Sequence, residues 1–208
     1  MTRWLPIVLV AACYPTDAYH DRLCEELGGK PNRQATQCLG DPGDAPERLF
    51  YFLTRTEYDG DMGGVEGADE RCTLEADRAG LRGPYQAFLS TRTVDAPDRL
   101  LADGPWFRTS GQGTKVVFES TDEMAYVPAN DLDYHANGER LDYTDSGFAW
   151  TGHGGEQTCS DWTSTKGTGT LGSTDDIDDM DWLSDDVAYC SYESKLYCFA
   201  VEAYPHRW

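Results

Sequence analysis

The chain is poor in basic residues: 17 Lys and Arg stand against 37 Asp and Glu, which gives a formal net charge of −20. No local cluster of Lys and Arg offsets this charge. Such a surface repels polymers of phosphate or sulfate. The composition therefore argues against nucleic acid and heparin-like polyanions as partners, and it leaves cations and basic proteins as candidates. The same charge would also keep an exported protein soluble without any ligand.

Signatures of catalysis are missing as well. Neither G-x-S-x-G nor H-E-x-x-H occurs. The histidines at positions 20, 135, 153 and 206 are scattered and show no metal-ligand spacing. Paired carboxylates are abundant by composition alone, so they select no glycosidase-type site. We therefore predict a protein that is not an enzyme and has no bound cofactor.

No apolar run approaches the length of about 20 residues that a membrane-spanning helix needs. The run from Trp4 to Ala12 is short and follows Arg3, a pattern typical of a signal peptide over residues 1–12. The residues Val-Ala-Ala before Cys13 resemble the bacterial lipobox, which predicts lipidation of Cys13. An ordinary secretory peptide cut after Ala12 is the alternative. If the host is Gram-negative, Tyr14 resembles an outer-membrane sorting signal.

The cysteine count supports lipidation. The chain has seven cysteines, and lipidating Cys13 leaves an even six that can pair fully in an oxidising compartment. We read the six as disulfide partners rather than as nucleophiles or a redox pair. A lipoprotein with several acyl chains is anchored stably. The expected location is the bacterial cell envelope, with the lipid anchor as the membrane contact.

One domain is expected over residues 48–204, preceded by a tether over residues 13–47 and followed by a tail at 205–208. Its most informative stretch is Asp59–Ser90, in which a glycine turn leads into a helix at Glu66–Ala79 and then a strand from Tyr85. The remaining predicted elements are strands at Leu49–Thr54, Phe148–Thr151, Cys159–Thr163 and Leu196–Tyr204, a helix at Asp95–Leu101, and a hairpin joining Trp106–Thr109 to Lys115–Glu119.

This stretch is similar to the start of the endostatin module of collagens XV and XVIII, and to related bacterial secreted domains of unknown function. The similarity covers roughly residues 48–204. It implies an α+β, C-type-lectin-like fold: two short helices, a twisted mixed sheet, long loops, and a first strand paired with the last. The residues that carry it are Gly63-Gly64, Gly67-Ala68-Asp69, Cys72, Gly80-Leu81, Gly83, Tyr85, Ala87–Ser90, Gly104-Pro105, Ala149–Gly152, Cys159, Trp162, Cys190 and Leu196–Cys198.

The resemblance also implies a disulfide pairing: Cys72–Cys198 and Cys159–Cys190, which leaves Cys24–Cys38 for the tether. The functional residues of the family do not carry over. Residues 41–48, before the first strand, contain no histidine for the zinc site of animal endostatins. The acidic composition excludes their heparin-binding basic face, and the calcium-dependent sugar motifs of true C-type lectins are not present in order.

A calcium loop is the sharpest metal hypothesis. Asp59, Asp61, Gly64 and Glu70 stand at positions 1, 3, 6 and 12 of such a loop. Gly63 replaces the expected oxygen ligand at position 5, and a strand rather than a helix precedes the loop. The family resemblance explains the glycines without a metal. The acidic run 175–186 could also collect calcium weakly, although charge runs are usually solvated loops.

The leading hypothesis is a non-catalytic cell-envelope lipoprotein that presents a module binding a protein or a glycan. Its ligand would contact the polar loops over Asp131–Asp186, since function tends to lie on loops held by a rigid frame. A structural envelope component and a calcium-binding surface protein are the alternatives. An enzyme on the same fold is the least favoured.

Overall fold

The computed structural model describes residues 30–31, 38–39, 48–110, 113–142, 147–175 and 179–203. The predicted signal peptide, the lipidation site Cys13, the Cys24–Cys38 bridge and the tail at 205–208 lie wholly or partly outside these residues. Within the described part of the chain, no helix is both long and apolar enough to cross a membrane.

The described elements form an α+β structure with a mixed sheet and short helices. In chain order they are β1 (Lys30–Pro31), β2 (Cys38–Leu39), β3 (Leu49–Leu53), α1 (Gly64–Arg78), β4 (Tyr85–Ala87), α2 (Ala96–Arg99), β5 (Trp106–Arg108), β6 (Lys115–Phe118), a 3-10 turn (Thr121–Ala125), β7 (Phe148–Trp150), the single turn α3 (Cys159–Trp162), β8 (Thr168–Ser173), a 3-10 turn (Met180–Trp182), β9 (Asp186–Tyr189) and β10 (Lys195–Ala200).

The last strand, β10, lies at the centre of the sheet, whose order is β6-β5-β3-β10-β7-β8-β9. It pairs antiparallel with β3, which joins the first and last strands of the domain. Cys198 is opposite both Phe52 of β3 and Ala87 of β4, so these two strands lie on opposite edges of β10. On the β4 edge, the beginning of β10 pairs in parallel with β7. Strands β1 and β2 form a separate two-stranded hairpin.

The core is aromatic. All six residues of β10 are buried, and the ring of Phe199 lies 4.9 Å from Tyr51 and 5.5 Å from Trp106. Four tryptophans are fully buried, and each donates its indole N–H to a backbone carbonyl. The burial of the large apolar ring is therefore combined with a satisfied hydrogen bond. The pairs are Trp106 with Ala200, Trp150 with Tyr58, Trp162 with Ser90 and Trp182 with Tyr126.

Two disulfides frame the sheet. Cys72–Cys198 ties α1 to β10, with an S–S distance of 1.96 Å. Cys159–Cys190 ties α3 to the turn after β9, with an S–S distance of 2.14 Å. These are the two pairs that the family resemblance implies. Disulfides indicate an oxidising, exported compartment.

The structure corrects the prediction for residues 159–163. Cys159–Trp162 is a left-handed turn rather than a strand, with φ angles of 50, 58, 57 and 66°. The disulfide at Cys159 and the buried ring of Trp162 hold this turn in place. Neither constraint is visible in local residue preferences, which disfavour αL for these residue types.

The segment after this turn lies within the polar loops expected over Asp131–Asp186, and its Gly/Thr/Ser composition gave no strand signal. Residues 168–173 instead form the buried strand β8. Its glycines allow close packing: a Cβ at Gly172 would lie 1.7 Å from the carbonyl oxygen of Trp182, and one at Gly169 would lie 2.7 Å from the ring of Trp150. The polar loops predicted over Asp131–Asp186 are therefore interrupted by the strands β7 and β8. The closing strand ends at Ala200, before the predicted Tyr204.

We expect both disulfides to contribute to stability in the order of their loop lengths. Their sequence separations are 126 and 31 residues. From chain entropy, removing the disulfide that closes the long loop should lower the free energy of unfolding by about 5 kcal/mol. Removing the disulfide that closes the short loop should lower it by about 3.7 kcal/mol. Urea unfolding of the full chain with Cys72→Ala/Cys198→Ala, compared with Cys159→Ala/Cys190→Ala, measures this difference. A larger loss in the second variant would contradict the entropic argument.

Candidate ligand-binding surfaces

The loop between β6 and β7 is fixed to the edge of β3. The N–H of Leu53 donates to the carbonyl of Tyr134 at 2.8 Å, and the hydroxyl of Tyr51 donates to the carbonyl of Leu132 at 2.6 Å. The Nδ1 of His135 lies 3.0 Å from the carbonyl oxygen of Leu53. Because that oxygen can only accept, Nδ1 is the donor in this contact. This part of the predicted polar loops is therefore an ordered surface.

A charged cluster, in which Arg108 and Asp133 are buried, anchors the same loop. The guanidinium of Arg108 lies 3.8 Å from the ring centre of Tyr134, and its Nη2 is 3.7 Å from Asp131 Oδ2. Arg140 Nε lies 2.5 Å from Asp133 Oδ2. Arg108 is 2% exposed, yet its Nε and Nη1, together with Asp133 Oδ1, have no hydrogen-bond partner in the described chain. Unpaired buried polar groups cost free energy, so they offset part of the stabilisation that the ion pairs and the contact with the Tyr134 ring contribute.

Three carboxyl groups have pKa values that are shifted in opposite directions. Burial raises the pKa of Asp133, and the hydrogen bond from Arg140 only partly offsets this effect. Burial likewise raises the pKa of Asp69 on α1, against the charge of Arg99. In contrast, the hydrogen bond from Arg92 lowers the pKa of the more exposed Asp161. Shifted carboxyls that lie beside a loop indicate candidate sites, although structural ion pairs also produce them.

A polar crevice of about 220 Å³ lies between the end of α1 and this loop. The carboxylate of Glu75 is 8% exposed and accepts the backbone N–H groups of Arg55 and Thr56. The guanidinium of Arg55 pairs with Glu139, while Arg78 makes no ion pair with any described residue. The crevice therefore suits a small polar group. Its lining is Arg55, Thr56, Glu75, Arg78, Ala79, His135, Ala136 and Asn137.

A larger groove of about 570 Å³ lies along β9, the edge strand of the sheet. Tyr189 is 77% exposed, and Val187 and Tyr192 are each 44% exposed. Exposed aromatic and apolar side chains around a groove indicate a binding surface. None of the lining residues is charged: they are Thr168, Val187, Ala188, Tyr189, Ser191 and Tyr192.

The predicted calcium ligands are all described, but they are used locally. Asp59 Oδ1 accepts the N–H of Asp61 at 3.0 Å, and Glu70 is exposed on α1. A search of the described residues finds no group of three or more His, Cys, Asp or Glu side chains that could hold a metal ion. The calcium loop stays a prediction, which calorimetry with Ca²⁺ on the wild type and on D59N tests. In the acidic run, Asp175 accepts the Ser173 hydroxyl at 3.0 Å.

Sequence reasoning missed the residues that line both cavities. Arg55 and Arg78 of the crevice could not be singled out, because isolated arginines form no pattern in the sequence, and the same holds for the buried Arg108, which lines neither cavity. The groove had a readable signal: Val187 and Tyr189 alternate as in an edge strand, and Tyr189 and Tyr192 flank Cys190. The strand was not predicted, because the acidic run that precedes it favours a solvated loop.

A comparison with protein-family models finds no match for this chain, and a search of curated proteins finds none either. Its function must therefore be inferred from its own residues and surfaces.

We predict that Asp133 titrates above the ordinary carboxyl pKa of about 3.9, and that Asp161 titrates below it. Because the folded-state pKa of Asp133 is raised, its contribution to stability is present at lower pH and is lost as the pH rises through that pKa. As the pH rises from the ordinary carboxyl pKa to the raised pKa of Asp133, the unfolding free energy of D133N should therefore decrease less than that of the wild type. NMR titration of the carboxyl carbons, with urea unfolding at each pH, measures both effects. An Asp133 that titrates at or below the ordinary value would refute the prediction.

Proposed function

We propose that this chain is a non-catalytic lipoprotein of the bacterial cell envelope that presents a ligand-binding module with an endostatin-like, C-type-lectin-like fold. The α+β architecture, the pairing of β3 with β10 and the two disulfides support the fold assignment. The lipobox-like residues before Cys13 support the anchor. The acidic composition disfavours nucleic acid and heparin-like polyanions as ligands.

The groove along β9 is the observation that favours binding as the function. It combines exposed aromatic rings with a rigid support, because the turn that follows β9 is held by the Cys159–Cys190 bridge. Fixed aromatic side chains contribute contact area at low entropic cost, and they are enriched at recognition surfaces. The ligand would be a protein or a glycan that reaches this edge of the sheet.

Saturable binding tests this proposal. We expect the purified full-length chain, immobilised in detergent, to bind at least one component in a panel of envelope glycans, matrix glycans and matrix proteins. Boiled protein and the reduced, alkylated protein serve as controls, since both lose the disulfide-framed surface. An absence of saturable binding to the whole panel, with the native fold confirmed by circular dichroism, would count against a binding module.

The lipid anchor is tested separately. We expect Cys13→Ser to abolish incorporation of labelled fatty acid and to move the protein from the membrane to the soluble fraction, because the lipid is the proposed membrane contact. The variant Cys24→Ser is a control, since it removes a different cysteine from the tether. Fatty-acid labelling that survives the change at Cys13 would show that the lipobox interpretation is wrong.

A further inference from the structure

The two exposed tyrosines of the groove are held in a fixed relation by one turn. The N–H of Tyr192 donates to the carbonyl of Tyr189 at 2.8 Å, which closes a four-residue turn. Within it, Cys190 is bonded to Cys159, and its N–H donates to the carbonyl of Gly167 at 3.0 Å. The ring of Tyr192 also packs edge-on against the buried Trp150 at 6.4 Å. Both rings therefore stand on a support that is ordered without a ligand.

The polarity of the groove restricts its ligand. Its six lining residues carry no charge, and four of them supply hydroxyl groups: the aliphatic hydroxyls of Thr168 and Ser191 and the phenolic hydroxyls of Tyr189 and Tyr192. In sequence, the lining residues are flanked by the exposed carboxylates of Asp186 and Glu193 and by the exposed Lys166, in a chain of net charge −20. An acidic ligand would be repelled, and a cation would find no carboxylate in the lining itself. An uncharged ligand with apolar faces and hydroxyl groups fits this lining.

The outer edge of β9 is poorly suited to a peptide strand. No strand of the described chain pairs with this edge, but two of its backbone groups are already used. The N–H of Val187 donates to Asp186 Oδ1 at 2.7 Å, and the carbonyl of Tyr189 accepts from Tyr192. Strand addition depends on a continuous row of free backbone groups. Recognition here must therefore rely on side chains.

We propose that the groove binds an uncharged oligosaccharide, whose sugar faces pack on Tyr189 and Tyr192 while its hydroxyl groups hydrogen-bond to Thr168 and Ser191. The volume of about 570 Å³ lies within the range of small-ligand sites. Sugar rings present C–H faces and peripheral hydroxyls, which are the complement of aromatic rings beside hydroxyl side chains. This inference rests on the proposed binding function and names its ligand class.

The test uses the full-length chain and neutral oligosaccharides of glucose, mannose, galactose and N-acetylglucosamine, with heparin as the acidic comparison. We expect at least one neutral series to bind saturably in calorimetry or NMR titration, and heparin not to bind. Tyr189→Ala and Tyr192→Ala should each weaken binding roughly tenfold, as loss of an aromatic contact does elsewhere, while Tyr189→Phe keeps it. Tyr126→Ala is the matched control, because Tyr126 is 68% exposed and follows the 3-10 turn at 121–125.

Each result decides a separate point. Binding that is weakened roughly tenfold in each of the two alanine variants and unchanged in Tyr126→Ala supports the proposal. If oligosaccharide binding is unchanged in Tyr189→Ala and Tyr192→Ala, the binding site does not lie in the groove. If no neutral sugar binds but an extended peptide does, and Tyr189→Ala abolishes that binding, the ligand class is wrong while the binding function stands. If neither sugars nor any component of the wider panel bind, both proposals fall. All variants are exposed-site changes, so unaltered thermal unfolding confirms that the fold is intact.

Discussion

The structure depends on the complete burial of β10. This last strand is covered on both faces and pairs on both edges, with β3 on one side and with β7 and then β4 on the other. Its burial requires that every backbone polar group find a partner. Where β3 ends, the side chain of Thr54 accepts the N–H of Leu196 at 2.8 Å. The disulfide from Cys198 then fixes α1 over the same strand. The centre of the sheet therefore forms only when β10 packs against strands from earlier in the sequence.

Around β10, the tryptophan side chains fill the core and also connect distant segments of the chain. Each indole fills core volume and also bonds a carbonyl far away in sequence, as Trp106 does with Ala200 and Trp162 with Ser90. These contacts join segments that short strands alone would hold weakly, because a three-residue strand makes few ladder bonds. Gly169 and Gly172 permit the same closeness on β8, where a side chain would collide with Trp150 or with the backbone at Trp182. Dense aromatic packing therefore compensates for a sheet of short strands.

Local sequence patterns predicted those elements whose preferences agree with their final environment. The aromatic strand at Leu49–Leu53, the alanine-faced helix and the β5–β6 hairpin are of this kind. Prediction failed where tertiary contacts decide: β8 is glycine-rich because of what packs on it, and α3 is left-handed because a disulfide and a buried ring hold it. The candidate surfaces could not be predicted from the sequence for a related reason. Arg108 and Tyr134 are brought together by the sheet, and no spacing in the sequence records that meeting.

The left-handed turn at Cys159–Trp162 links this frame to the groove. Left-handed backbone costs about 1–2 kcal/mol for each non-glycine residue, and such strain persists only where the surroundings over-determine it. Here three contacts do so: the bridge to Cys190, the burial of Trp162 and the pairing of Asp161 with Arg92. The same bridge ends inside the turn that holds Tyr189 and Tyr192. Because one covalent bond constrains both turns, the backbone that carries Tyr189 and Tyr192 is tied to the strained turn. Such a constraint on the backbone would reduce the entropic cost of binding a ligand in the groove.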